Sequence, residues 1–324
     1  MWSAEPITWL SQLTPLLATA ATGKGFSLWT LFGVTLAASA PLLLAALGGL
    51  FSERSGIINI GLEGMMLTGA FAAGWVGFMF PHWGQGSPWV GFLVAGIAGA
   101  ALASIHAAVC ILLRTDQIIS GVALNILALQ GTTFLSMVIF GGKGGTGLLQ
   151  HTLPKWSIGS LQISPLLLVT ILLLFTTWWV VFRTPFGLRL RACGEYPAAV
   201  ESAGVSVAKT QAIAVIISGA LAGLGGAILV NEAGNFGKNM TAGRGYIALA
   251  ALIFGGWKPV PVMMASLLFG FAYALNFQLQ TMPNVPIPSE WINMLPYVLT
   301  ILALCGLVGR SRAPASLGQT HPTH

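Results

Sequence analysis

Charge is scarce in this chain. Fourteen basic and eight acidic side chains occur in 324 residues, 7% of positions against 55% hydrophobic, where soluble domains carry about 25% charged residues. So few charges cannot cover a water-facing surface of this size, which excludes an ordinary soluble protein and places the chain in lipid. Cysteine is also sparse: Cys110, Cys193 and Cys305 show neither a paired framework nor metal spacing, and the histidines add none. Neither disulfides nor a metal site is expected. No Gly-x-x-x-x-Gly-Lys-[Ser/Thr] is present. Gly23-Lys24-Gly25 and Gly142-Lys143-Gly144 lack both the spacing and the hydroxyl that holds Mg²⁺, so ATP hydrolysis by the usual loop is excluded. A pairing of Ser218 with His106 as an intramembrane protease dyad finds no support in the flanking residues. No catalytic residue and no bound cofactor are therefore expected. No basic stretch precedes the first apolar run, so a cleaved signal peptide is not expected.

The net charge of +6 does not point to nucleic acid, because the basic residues sit in short gaps between apolar runs and form no continuous face. The runs long enough to span a hydrocarbon core lie at 27–50, 56–80, 89–113, 117–140, 161–182, 210–230, 260–280 and 291–308. The run at 245–256 is too short to cross untilted, and reads as a tilted or broken span or a half-helix. Residues 1–26, interrupted by Pro15, read as an extracytoplasmic interfacial segment. These elements predict an all-α polytopic membrane protein with about eight to ten transmembrane helices, in a permeation domain over 27–309. Arg183, Arg189, Arg191 and Lys209 mark a cytoplasmic loop over 183–209. Arg310 and Arg312 mark a cytoplasmic tail over 310–324, expected to be disordered. The same rule puts Arg54, Arg114 and Lys258 inside, and Lys24, Lys143, Lys155, Lys238 and Arg244 outside.

Residues 54–61 resemble 244–251, with Gly56 matched to Gly245. Since one copy starts inside and the other outside, the pair has the arrangement of an inverted repeat. Chance similarity of two Gly-rich apolar stretches is the alternative.

Within the basic loop, Pro197 suits a first helical turn, Glu195 its cap, and Gly204 its end. The result is a short cytoplasmic helix of about two turns with small Ala198, Ala199 and Ala203 on it. Such a helix either presents a rigid surface to a soluble partner or lies on the headgroups.

This loop, the stretch Phe51-Ser-Glu-Arg-Ser-Gly-Ile-Ile-Asn-Ile-Gly-Leu-Glu-Gly-Met-Met, and Gly245-Tyr-Ile-Ala-Leu-Ala-Ala-Leu-Ile-Phe-Gly-Gly-Trp together resemble one permease family. That family serves ABC importers of branched-chain amino acids, simple sugars and nucleosides, and the form around Glu63 is most similar to its nucleoside branch. The resemblance covers about 27–309 and implies alternating-access import driven by two cytoplasmic ATPases that use ATP and Mg²⁺. It also implies a second permease subunit, in the nucleoside branch a different chain, and an extracytoplasmic solute-binding lipoprotein. The loop would be the coupling helix. Arg189, Arg191, Glu195, Pro197, Ala198, Ala199, Glu201 and Gly204 would then serve ATPase contact. The Glu-Ala-Ala-x-x-x-Gly pattern of many such permeases is not kept: Pro197 precedes the alanines, and Gly204 lies one residue further on.

Asn59 and Glu63 share a helix face. An ionisable group at membrane depth marks a solute pathway or finds a partner. Glu63 either lines the pathway, pairs with Arg54, or caps a broken helix. Gln117 and Asn125, with Ser120 and Gly121 beside them, and Asn231 with Glu232 have the same alternatives of pathway and interhelical bonding. Gly91, Ala95, Gly99 and Ala103, then Gly219, Gly223 and Gly226, are spaced for close helix packing. Trp75, Trp83, Trp89, Trp156, Trp178, Trp179, Trp257 and Trp291 read as an interfacial belt, with purine stacking the alternative. An ion-coupled secondary transporter is the competing class. It needs buried ionisable groups, and Glu63 is the clear candidate.

Overall fold

The computed structural model describes residues 28–142, 144–158, 161–281 and 312–319, and the helical positions Trp291, Met294, Val298 and Ile301. In chain order the helices are α1 (Leu28–Arg54), α2 (Leu62–Met79), α3 (Gly86–Ala107, continued by a π-helical turn Ala108–Leu112) and α4 (Gln117–Ile139). They continue with α5 (Pro165–Arg183), α6 (Pro185–Glu195), α7 (Pro197–Ser202), α8 (Val207–Ala233), α9 (Arg244–Phe254) and α10 (Pro259–Thr281). Among the described residues, α1, α2, α3, α4, α5, α8 and α10 are long and apolar enough to cross a membrane. One antiparallel hairpin of Trp156–Ile158 with Leu161–Ile163 is added to the helices. The segment 1–26 and most of the span expected over 291–308 lie outside the described residues.

Helix starts follow local chemistry. Asp116 accepts from the N–H groups of Ile118 and Ile119 at the head of α4. Ser164, Thr184 and Ser206 do the same for α5, α6 and α8, with Pro165 and Pro185 in the first turns. The span expected over 56–80 starts late. Gly56 has φ +99°, residues 55–61 are largely non-helical, and α2 begins only at Leu62.

Of the spanning helices α8 is the most enclosed, and α4 and α5 the least. α1, α2 and α3 all pack on α8. Small residues set the separation: a Cβ on Gly99 would collide with the Gly219 carbonyl, one on Gly223 with the Ala95 carbonyl, and one on Gly226 with the Met66 carbonyl. Gly219→Leu is expected to push α3 off α8 and cost about 1–3 kcal/mol. A drop in unfolding temperature in detergent measures it, against Gly131→Leu, whose site on α4 is open and which should be near neutral.

Two sequence expectations are corrected here. Glu195 is not a cap: it ends α6, an amphipathic helix that the sequence reading missed, and α7 starts behind Tyr196 without a side-chain cap. The tail expected to be disordered has a defined turn at 315–318, because Ser316 and Gly318 find backbone partners on the bundle.

Candidate functional site

Two largely non-helical stretches enter the bundle, 55–61 ahead of α2 and 234–243 ahead of α9, and the two helices begin where the stretches meet. The contact is tight: a Cβ on Gly245 would collide with the backbone of Glu63. Depth follows from α9. Its 11 residues rise about 16 Å, and just past its far end Trp257 Nε1 donates to Glu53 Oε2 at 2.6 Å. The Trp257 carbonyl accepts from Arg54 Nε at 2.9 Å. Along α9 the junction at Glu63 is therefore up to about 16 Å from that layer, a length comparable to half of a ~30 Å hydrocarbon core.

Non-helical backbone at such depth is tolerated only when protein satisfies its polar groups. Here distant helices do so. Gln117 Oε1 accepts from Ile58 N–H at 2.6 Å. His106 Nε2 lies 3.1 Å from the Ile58 carbonyl and, since a carbonyl only accepts, carries the proton there. Asn125 donates to the Ile60 carbonyl at 2.9 Å and accepts from Gly64 N–H at 2.7 Å. Ser52 Oγ donates to the Ile57 carbonyl at 2.7 Å, and Gln211 Nε2 to the Ser55 carbonyl at 3.0 Å.

Glu63 holds the other stretch. Its Oε1 accepts from Thr241 Oγ1 at 2.6 Å and Gly243 N–H at 2.8 Å, and its Oε2 from Gly245 N–H at 2.6 Å. Of the three sequence readings, this geometry is that of a cap on a broken helix, α9. Arg54 turns instead to Trp257, which is buried, so Trp257 is no part of an interfacial belt. Arg244, expected in an outside loop, is likewise buried, over the Tyr273 ring.

Asn59 is 0% exposed; its Nδ2 donates to Ser218 Oγ at 2.9 Å, while its Oδ1 has no partner. Gln117 Nε2 and Asn231 Nδ2 are also buried and unpartnered. Asn59, Glu63 and Asn125 thus converge on one junction. Asn231 does not: its Oδ1 accepts from Leu153 N–H at 2.8 Å, beside a Lys155–Glu232 ion pair of 2.8 Å. That cluster laces the loop before the Trp156–Ile158 strand onto the end of α8. Tyr246 was overlooked in the sequence, and His106 figured there only as a dismissed dyad partner of Ser218, whereas its ring bonds Ser120 and the Ile58 carbonyl. Tyr246 accepts from Asn125 Nδ2 at 2.9 Å and leaves its ring 47% exposed next to the junction. A single tyrosine beside Gly245 in an apolar run was the available signal.

On the opposite side of the Trp257 layer, α6 and α7 form a small module. Cys193, Val200 and Val207 make its own apolar cluster, and burial pushes the Cys193 thiol above its usual range, so this cysteine packs and is a poor nucleophile. Pro197 is buried. Arg191 stacks over Phe182. Glu201 and Arg191 are half-buried, while Arg189, Glu195, Ala198, Ala199 and Gly204 (φ +75°) are exposed. Leu188 and Tyr196, 62% and 67% exposed, lie on the same module.

Residues 31–304 match the family model described as branched-chain amino acid transport system / permease component. The chain belongs to that permease family. It is 43% identical over 299 residues to the guanosine ABC transporter permease protein NupQ of Bacillus subtilis, covering 88% of this chain and 93% of that one. It is 37% identical to the nucleoside ABC transporter permease protein NupC of Lactococcus lactis, with 86% and 92% covered. Identity to the putative glucose ABC transporter permease protein TsgC13 of Haloferax volcanii is 34%, with 90% and 97% covered. No solved structure matches. With seven helices among the described residues able to span a bilayer, this permease is a multi-pass protein of the inner membrane.

Proposed function

We propose that this permease imports nucleosides by alternating access around the junction of Asn59, Glu63 and Asn125. The observation that carries the reading is a buried amide oxygen without a partner, Asn59 Oδ1, where two broken helices begin. Discontinuous helices at mid-membrane form solute sites in other transporters, and an unpartnered amide oxygen offers an acceptor to a solute N–H or O–H. The guanosine and nucleoside names of NupQ and NupC favour this cargo. The glucose name of TsgC13 favours the second reading, a simple sugar.

The α6–α7 module contacts a separate ATPase that binds ATP and Mg²⁺, since this chain carries no loop for them. The sparsely buried faces of α4 and α5 leave room for a second permease subunit and lipid, and a binding lipoprotein delivers solute from outside.

Uptake of radiolabelled guanosine by the assembled transporter tests the cargo. Unlabelled adenosine in 100-fold excess (about 100 Kd suffices to saturate a competing site) should suppress it, and glucose or leucine should not. Suppression by glucose alone would overturn the nucleoside reading. Tyr246→Ala should raise the half-saturation concentration about fivefold or more, as loss of one base–aromatic stack of ~1–3 kcal/mol requires, while Tyr246→Phe keeps the ring and most of the affinity.

A further inference from the structure

The tail residues 312–319 are seated between the end of α6 and the start of the non-helical stretch after α1. They close on themselves through Leu317 N–H to the Pro314 carbonyl at 3.1 Å and Gln319 N–H to the Ser316 carbonyl at 3.2 Å. Ser316, 4% exposed, carries the joint. Its N–H donates to the Gly194 carbonyl at 2.9 Å, and its Oγ lies 2.6 Å from that carbonyl and 3.1 Å from the Cys193 carbonyl. Two residues on, Gly318 N–H donates to the Gly56 carbonyl at 3.0 Å. Pro314 is buried, and Leu317 packs against the main core.

The turn therefore bonds two places at once. One is the end of α6, which leads directly into α7. The other is Gly56, at the start of the stretch that reaches Asn59 and the junction. Those two segments also touch, since a Cβ on Gly194 would collide with the Arg54 carbonyl, but packing alone lets them slide. Hydrogen bonds to both carbonyl groups make them one body.

We propose that this turn is a coupling strap, with Ser316 as a positioning residue that transmits displacement of α6–α7 to the 55–61 stretch. The inference rests on the reading of α7 as the ATPase contact. It predicts that a broken strap lets the ATPase fire without moving the junction.

The test uses the complete reconstituted transporter, reading ATP hydrolysed per guanosine imported, or per glucose if the competition above returns the sugar. Ser316→Ala should keep ATPase association and raise that ratio about fivefold, the factor that one net hydrogen bond of ~1 kcal/mol represents. Ser316→Thr should restore the wild-type ratio, and truncation before Pro314, which also removes the Ser316 and Gly318 N–H bonds to Gly194 and Gly56, should raise the ratio further than Ser316→Ala does. A merely structural strap would lower the amount of folded transporter and leave the ratio unchanged in what remains; that result overturns the proposal. Ala199→Trp separates the two readings. If it leaves ATPase binding and coupling intact, the contact reading fails and the strap with it. If it releases the ATPase while Ser316→Ala stays coupled, the strap alone fails.

Discussion

Glu63→Ala is expected to unfold the entry to α9 and abolish transport. The side chain accepts from one hydroxyl and two backbone N–H groups, and no water at mid-membrane can replace it. Each donor left unsatisfied in a buried site costs about 1–3 kcal/mol, so loss of all three removes ~3 kcal/mol or more. That is a large share of the stability of any domain. Glu63→Gln should fall between: its amide oxygen serves Thr241 and Gly243, but its amino group faces the Gly245 N–H and cannot accept. Glu63→Asp shortens the reach and should resemble Ala more than Gln. Unfolding temperature in detergent and uptake in vesicles should rank wild type, Gln, then Asp and Ala. An Ala variant of wild-type stability would remove the capping role. A variant that folds normally but no longer transports would return Glu63 to the solute pathway.

The spanning helices were legible in the sequence because long apolar runs have few other uses, and their caps at Asp116, Ser164 and Ser206 sit where local chemistry puts them. The broken entry to α2 was not. Ile57, Ile58 and Ile60 read as more of the same apolar helix, and what holds them open is His106, Gln117 and Asn125, up to 65 residues away. Glu195 was misread for a related reason: α6 is polar enough to look like loop, so its last residue resembled the first of α7. The repeat match also fails in register. Gly56 precedes α2 by six residues, whereas Gly245 is the second residue of α9. What the two halves share is a helix that starts at one common junction, and that likeness exists in space rather than in aligned residues. Asn59, Glu63 and Asn125 were identifiable because polar groups in apolar runs are rare. Their division of labour needed coordinates.

Tyr196→Ala and Ala199→Trp are expected to stop uptake while leaving the permease inserted and folded. The α7 helix is pinned from one side only, by Val200 against Cys193 and Val207, and its outer face is bare: Tyr196, Ala198 and Ala199 are exposed. On the proposed reading of α7 as the ATPase contact, the exposed Tyr196 ring and Leu188 side chain are the apolar groups a protein partner covers. An exposed aromatic anchor of this kind is worth about 2 kcal/mol or more at an interface, a loss of ~30-fold in ATPase affinity on truncation to alanine. A tryptophan at Ala199 meets open water in the isolated permease and so should not disturb its fold, but it occupies the space a partner surface must enter. Glu201→Arg, half-buried beside the same face, adds a charge of the wrong sign for any basic partner groove. Co-purification of the ATPase and solute uptake should fall together in all three, with membrane abundance unchanged. If uptake persists with Ala199→Trp inserted and folded, α7 lies on the headgroups, the alternative that the sequence left open.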